Sequence, residues 1–308
     1  MSPRAEARVP EAAVRAALVQ RGYQEAITYS FVDAGVQQRL DPDQEPLPIE
    51  NPITSDMSVM RTNLWPGLLK ALEHNLNRQQ RRVRLFETGL RFRRIEGELQ
   101  QQPAVAGLAT GPVDPEQWGR AARDGDFFDL KSDVEALLAL AAAPGEIRFV
   151  AAEHPALHPG QRARIERAGA PIGFAGALHP ALARERKLGL AVYLFELDLD
   201  ALQAGHRPEF RALSKYPTVR RDVSVVVDES VTAEAVRDCV GQVGIHVLEN
   251  LELFDVYRGE GIDSGKKSLS FGLTFQDPSR TLTDAEVDQS VERIVASLTT
   301  NLGAILRG

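Results

Sequence analysis

One cysteine, Cys239, occurs in 308 residues, so no internal disulfide is possible and a reducing compartment is expected. Long apolar runs are missing too: none approaches the roughly 18 residues needed to span a bilayer. The opening MSPRAEARVP has arginines but no apolar segment behind them, so no secretory signal is expected there. A cytoplasmic protein with no membrane partner is expected. Positive charge is also short. The formal net charge is -7, which excludes nucleic-acid binding by bulk charge and leaves only local patches for it. The deficit is shared: residues 1–209 carry 25 Lys+Arg against 28 Asp+Glu, and residues 210–308 carry 11 against 15. Neither GxxxxGK[ST] nor GxGxxG occurs, so the two common glycine-rich phosphate cradles are absent.

What is present suits a globular protein, at 43% hydrophobic and 26% charged residues, and the length favours two domains. Apolar spacing and Gly22 predict a helix over 9–21. A strand is expected at 26–32 and irregular chain at 41–52, where prolines crowd. Leu64, Leu68, Leu69, Leu72 and Leu76 form one helical stripe, with Pro66 tolerated near its start. Strands follow at 83–87, 90–95 and 103–109, then a helix over 128–142 stopped by Pro144-Gly145. Further strands are expected at 147–151, 163–167, 172–178 and 193–199, with a helical turn at 181–187. The segment 202–208 has the composition of a linker and marks a domain boundary. Arg78, Arg81, Arg82, Arg84, Arg91, Arg93 and Arg94 form a cluster that reads as a solvated or ion-paired face, with RNA or partner contact as the alternative.

The last hundred residues run strand, helix, strand, strand, helix, strand, the order of a ferredoxin-like βαββαβ domain with one sheet face free of helices. Its centre is the hairpin over 251–276. Leu269, Phe271, Leu273 and Phe275 alternate with Ser268, Ser270, Gly272, Thr274 and Gln276, giving one buried and one open face. In the first arm Phe254 and Val256 are expected to join the buried face, and Leu253, Asp255 and Tyr257 the open one. Asp255, Tyr257, Ser268 and Ser270 would then offer an aromatic ring, an acceptor and two hydroxyls to an unpaired base. Arg258, Lys266 and Lys267 lie at the hairpin tip, and Arg220 and Arg221 just before the first strand, where they could grip phosphates. Thr283 and Glu286 read as a capping box for the last helix.

Catalytic sets are not apparent. His154, His158 and His179 each precede a proline or have one next to them, and turn structure is favoured over metal binding. Cys239 reads as core rather than nucleophile.

Several long stretches resemble one family. SKYPTVRRDVSVVV (214–227) and LFDVYRGEGIDSGKKSLSFGLTFQDPSRTLTDAEV (253–287) are similar to the ferredoxin-fold anticodon-binding domain that ends the β subunits of bacterial phenylalanyl-tRNA synthetases. GYQEAITYSFV (22–32), NPITSDMSVMRTNLWPGLLKALEHNLNRQ (51–79), RLFETGLRF (84–92), DFFDLKSDVEALL (126–138), LHPGQRARI (157–165) and GALHP (176–180) resemble the synthetase-like core of the same subunits. The resemblance implies an α+β chain: a class II aminoacyl-tRNA synthetase-like antiparallel sheet with helices over 1–205, then the ferredoxin-like domain over 210–308. It implies a catalytic α subunit in an (αβ)2 assembly, tRNA-Phe as ligand, and ATP and Mg2+ used only in the holoenzyme. It places Asp255, Tyr257 and Ser268 against the anticodon, and makes the Arg61-bearing segment 61–77 the motif-1 element used at subunit interfaces.

Three departures shape the expectation. The second-motif strand reads FETG, without the catalytic arginine of active cores, and no G-x-G-x-x-R helix is found. The family's N-terminal tRNA-binding module, its editing module and its magnesium-binding acidic segment have no counterpart in these residues. A fragment or a short subunit, noncatalytic and without a metal, is therefore expected. Two competitors remain: a self-sufficient amino-acid-activating enzyme, and a regulatory module binding a small molecule such as an amino acid.

Overall fold

The computed structural model describes residues 8–142, 145–205 and 213–307. The chain divides into two compact units, Met1–Pro208 and Glu209–Gly308.

In the first unit, α1 (Glu11–Gln20) leads to β1 (Gln24–Glu25), β2 (Phe31–Val32), α2 (Ala34–Leu40) and β3 (Val59–Met60). Next come α3 (Trp65–Leu76), β4 (Val83–Ile95), β5 (Glu98–Thr110) and α4 (Phe127–Leu138). The unit continues through β6 (Ile147–Val150), β7 (Leu157–Arg167), β8 (Ala170–Leu178), α5 (Pro180–Glu185), β9 (Val192–Asp198) and α6 (Leu199–Gln203). Seven strands form one sheet in the order β1-β4-β5-β9-β8-β7-β6, antiparallel except for the β1–β4 edge pair. Glu96 and Gly97 both hold positive φ, which a two-residue turn closing Ile95 onto Glu98 requires.

Each sheet face has its own core. Phe86, Val105, Phe195, Leu197 and Ile165 meet Val14 and Leu18 of α1 and Leu130, Val134 and Leu137 of α4. Leu85, Ala106, Leu108 and Leu194 meet Leu64, Leu68, Leu69 and Leu72 at α3. The leucine stripe therefore does what its spacing predicts. α4 begins at a capping box in which Asp126 and Asp129 each accept the other's backbone N–H.

Several expectations change. Most of 26–32 is not strand: only Phe31 and Val32 pair, and Ile27 and Tyr29 stand out in solvent. The strands expected at 83–87 and 90–95 are one, running through Gly89. Helix α2 was not anticipated; Asp33 caps it by accepting from the Val36 N–H at 2.8 Å. The helix expected over 61–77 starts at Trp65, and Arg61 is buried ahead of it. Leu202 and Gln203 are buried in α6 rather than forming a linker; 206–208 lie outside the described residues.

The second unit comprises β10 (Val219–Asp228), α7 (Ala233–Gln242), β11 (Leu248–Tyr257), β12 (Lys266–Phe275), α8 (Asp284–Leu302) and β13 (Ile305–Leu306). Its antiparallel sheet has the order β11-β12-β10-β13, the ferredoxin-like arrangement expected. Val223, Val225, Val227, Leu269, Phe271, Leu273 and Phe275 pack against Val236, Cys239 and Val240 of α7 and Val287, Ile294 and Leu298 of α8. Both helices therefore cover one sheet face and leave the other free of helices. The Thr283–Glu286 capping box forms as expected. Gly303 ends α8 at φ 63°, where a residue without Cβ is least strained.

Candidate nucleic-acid interface

Across β10, β12 and β11 the register aligns Ser224, Ser270 and Asp255, then Val226, Ser268 and Tyr257. Directly opposed residues of an antiparallel pair share a face. Asp255, Tyr257, Ser268 and Ser270 therefore stand together on the helix-free side, as the alternation predicts. Val256, opposite Leu269, keeps the side expected of it, but Leu253 and Phe254 do not. A bulge between Leu253 and Asp255 shifts the period, so Leu253 turns to the core and Phe254 becomes exposed.

The face is not bare. Ser268 is 1% exposed and Ser270 7%. Ser270 shares a hydrogen bond with Ser224 at 2.8 Å, whereas the Ser268 hydroxyl is buried with no partner. Two arginines lie over the aromatic residues of β11. The Arg220 guanidinium sits 5.6 Å from the Phe254 ring and close above Gly272, where a Cβ would come within 2.5 Å of Nη2. Arg307, just beyond β13, reaches across β10 and β12 to within 5.1 Å of the Tyr257 ring. Phe254 and Arg307 were missed from sequence, because a bulge and a two-residue strand leave no period to read. The Tyr257 hydroxyl donates to the Glu260 carbonyl at 3.1 Å, which holds the ring against its own hairpin tip. Asp255 is exposed and accepts from no other described residue.

The remaining cations divide. Arg221 points to the helix-bearing face, bonded to Asp284 at 2.7 Å and Asp288 at 3.0 Å, and these carboxylates raise its pKa. It does not join the other site residues. Arg258 is held by Glu229 at 2.7 Å, Lys266 by Asp263 at 3.0 Å, and Lys267 donates to the Glu229 carbonyl at 2.7 Å. Arg258 is exposed and Lys266 and Lys267 are half-buried; Arg258 and Lys266 are already paired with carboxylates, and Lys267 is tied to a carbonyl.

In the first unit three of the seven cluster arginines, Arg84, Arg91 and Arg93, enter ion pairs, while Arg78, Arg82 and Arg94 donate to backbone carbonyls. Arg84 pairs with Asp133, which also accepts from Tyr23 at 2.8 Å. Arg91 bonds Glu196 at 3.0 Å and Asp198 at 2.6 Å, and Arg93 donates to the Thr62 carbonyl at 2.8 Å. Glu87 of FETG accepts from Arg61 at 2.8 Å and from Thr28 Oγ1 at 2.7 Å, with both ion-pair partners 3% exposed. A cavity of about 360 Å3 beside them is lined by Asp41, Asp43, Glu153, Glu196 and Asp198 against Arg91 and Arg93. Carboxylates outnumber guanidiniums five to two, and the surplus repels a polyphosphate rather than cradling it. The ligand chemistry of ATP does not fit here. His154, packed edge-on to Trp65 and Phe174, is pushed below the usual imidazole pKa by burial. His154, His158 and His179 each accept a backbone N–H two residues on, the turn role expected of them. Among the described residues no group of three His, Cys, Asp or Glu is placed to hold a metal ion. Among them no helix is long and apolar enough to cross a membrane.

Comparison with known proteins gives a family match for each part of the chain. Residues 214–307 match the family described as ferredoxin-fold anticodon binding domain. Residues 1–199 match the family described as phenylalanyl tRNA synthetase beta chain CLM domain. A phenylalanine--tRNA ligase beta subunit of Pseudomonas fluorescens is 53% identical over 306 residues, covering 99% of this chain and 38% of the relative. The corresponding subunit of Pseudomonas putida is 52% identical, covering 96% of this chain and 37% of the relative. That of Nitrosococcus oceani is 51% identical with the same two coverages, 96% and 37%. The chain thus spans well under half the length of the curated relatives it matches. With two family matches along its length and half its residues shared with these relatives, the chain belongs to the phenylalanyl-tRNA synthetase beta chain family.

Proposed function

We propose that this chain is the β-subunit portion of a phenylalanine-tRNA ligase, and that its second unit binds the anticodon loop of tRNA-Phe. The observation that carries the reading is the helix-free face, where Tyr257 and Phe254 offer rings, Asp255 an unused acceptor and Arg220 a cation. Bases stack on such rings at about 1–3 kcal/mol each, and Asp255 supplies polar readout, joined by Ser268 only where the side chains sealing its hydroxyl move aside. Arg220, Arg258 and Lys266 can exchange local carboxylates for phosphates, and Lys267 a backbone carbonyl. Arg221 has no part in it.

The first unit, over 1–205, docks the catalytic α subunit in an (αβ)2 assembly in the cytoplasm. Ile27 and Tyr29, 93% and 67% exposed on the stretch leading into β2, offer apolar side chains to a protein partner. ATP and Mg2+ act on the α subunit, since the carboxylate-rich cavity here suits neither phosphates nor phosphoryl chemistry. Alone, this chain is noncatalytic.

Binding of tRNA-Phe to the full chain, measured by fluorescence anisotropy for the native sequence and Tyr257→Ala, tests the reading. Affinity is expected to fall roughly 5- to 150-fold, the loss of one stacked base. Equal affinity in a variant with unchanged circular dichroism removes the site.

A further inference from the structure

We infer that Arg307 is a further RNA-binding residue, resting on the anticodon reading above: its guanidinium leaves the Tyr257 ring when a base stacks there and takes the adjoining phosphate. Three observations lead to this. First, every other described arginine of the second unit has an acceptor: Arg220 has Asp222, Arg221 has Asp284, Arg237 has Glu234, Arg258 has Glu229, Arg280 has Glu286 and Arg293 has the Val243 carbonyl. Arg307 has none among the described residues and only the ring, 5.1 Å away. Its charge is thus held by a contact that a base can replace.

Second, the buried Ser268 hydroxyl on the same face, opposite Tyr257 in the register, has no hydrogen-bond partner. A buried hydroxyl left unpaired is unfavourable, and a base edge can supply the missing partner once the side chains that seal it move aside. Third, Arg307 is anchored by its backbone, whose N–H donates to the Ser224 carbonyl at 2.8 Å, while its side chain is exposed. The guanidinium can therefore swing without disturbing the sheet. Stacking and phosphate capture are coupled in this arrangement, because the group that vacates the ring is the group that grips the backbone.

The test is the salt dependence of tRNA-Phe binding by the full chain, for the native sequence, Arg307→Ala, Arg307→Lys and Tyr257→Ala. One lost phosphate contact lowers the slope of log affinity against log salt by about 0.7 for single-stranded RNA. Arg307→Ala should bind more weakly at low salt, and its deficit should shrink roughly 2.6-fold between 50 and 200 mM salt. Arg307→Lys, which keeps the charge, should restore the slope. If Arg307→Ala leaves slope and affinity unchanged, or tightens binding, while Tyr257→Ala weakens it, Arg307 is only a cover and the inference fails alone. If neither variant changes binding, the anticodon reading fails and this inference with it.

Discussion

Removing the Glu87 carboxylate tests how the FETG strand is used. Glu87 accepts from Arg61 Nη1 at 2.8 Å, from Thr28 Oγ1 at 2.7 Å and from the Thr28 N–H at 3.3 Å. Arg61 retains two neutral acceptors, the Leu90 carbonyl at 2.9 Å from Nε and Thr28 Oγ1 at 3.1 Å from Nη1. In Glu87→Ala a guanidinium at 3% exposure is left without a counter-charge, and the Thr28 donors lose their acceptor. Breaking a buried pair this way costs about 3–5 kcal/mol. In a unit of about 200 residues, where 1 kcal/mol moves the midpoint about 2–4 °C, the expected fall is roughly 6–20 °C. Both tryptophans, Trp65 and Trp118, belong to the first unit, so tryptophan fluorescence during heating reports that unit by itself. Replacing both charges together, as Arg61→Met with Glu87→Leu, should recover much of the loss. A midpoint shift below about 2 °C for Glu87→Ala would refute the reasoning, because the pair would then not be sealed from water.

Three other outcomes are expected. Burial lowers the His154 pKa, so the folded state takes up its proton at lower pH than the unfolded chain does. The associated stability is whole above about pH 6.5 and declines as pH falls below it; His154→Gln should flatten the decline in the tryptophan-reported midpoint, and an unchanged profile would assign it elsewhere. Gly272→Ala should push Arg220 from its place over β12, weakening tRNA-Phe binding with little change in the melting curve; undiminished affinity would remove Arg220 from the contact. Cys239→Ser, on the helix-bearing side beside Ser297, should leave tRNA affinity unaltered, and a loss of binding with the fold intact would mean that the two sheet faces are coupled.

Where the chain's chemistry is periodic, the fold was legible. The run Leu269 to Phe275 placed its buried face correctly because four apolar side chains alternate without interruption. The leucine stripe of α3 and the Thr283–Glu286 cap were readable for the same reason: local spacing and local hydrogen bonds decide them. Phe254 was assigned to the wrong side because a bulge is set by strand pairing, which composition does not reveal. The segment Ala26–Val32 has strand-forming residues, yet only its last two find a partner strand. Arg221 neighbours Arg220 in sequence but faces the opposite way, drawn to two carboxylates on α8 that lie more than sixty positions later. The arginines of 78–94 gave a similar false impression of one surface. Arg84, Arg91 and Arg93 find their acceptors at Asp133, Glu196 and Thr62, partners that only the closed sheet assembles. Strand alternation grouped Asp255, Tyr257, Ser268 and Ser270 on one face; the close approach of Arg307 to Tyr257 needed coordinates.

The most direct test of the central claim compares the full chain's affinity for tRNA-Phe with its affinity for the same tRNA carrying a changed anticodon. If the helix-free face of the second unit reads that loop, the altered tRNA should bind at least several-fold more weakly, and Tyr257→Ala should erase the difference. Equal affinity for the two tRNAs would contradict the account.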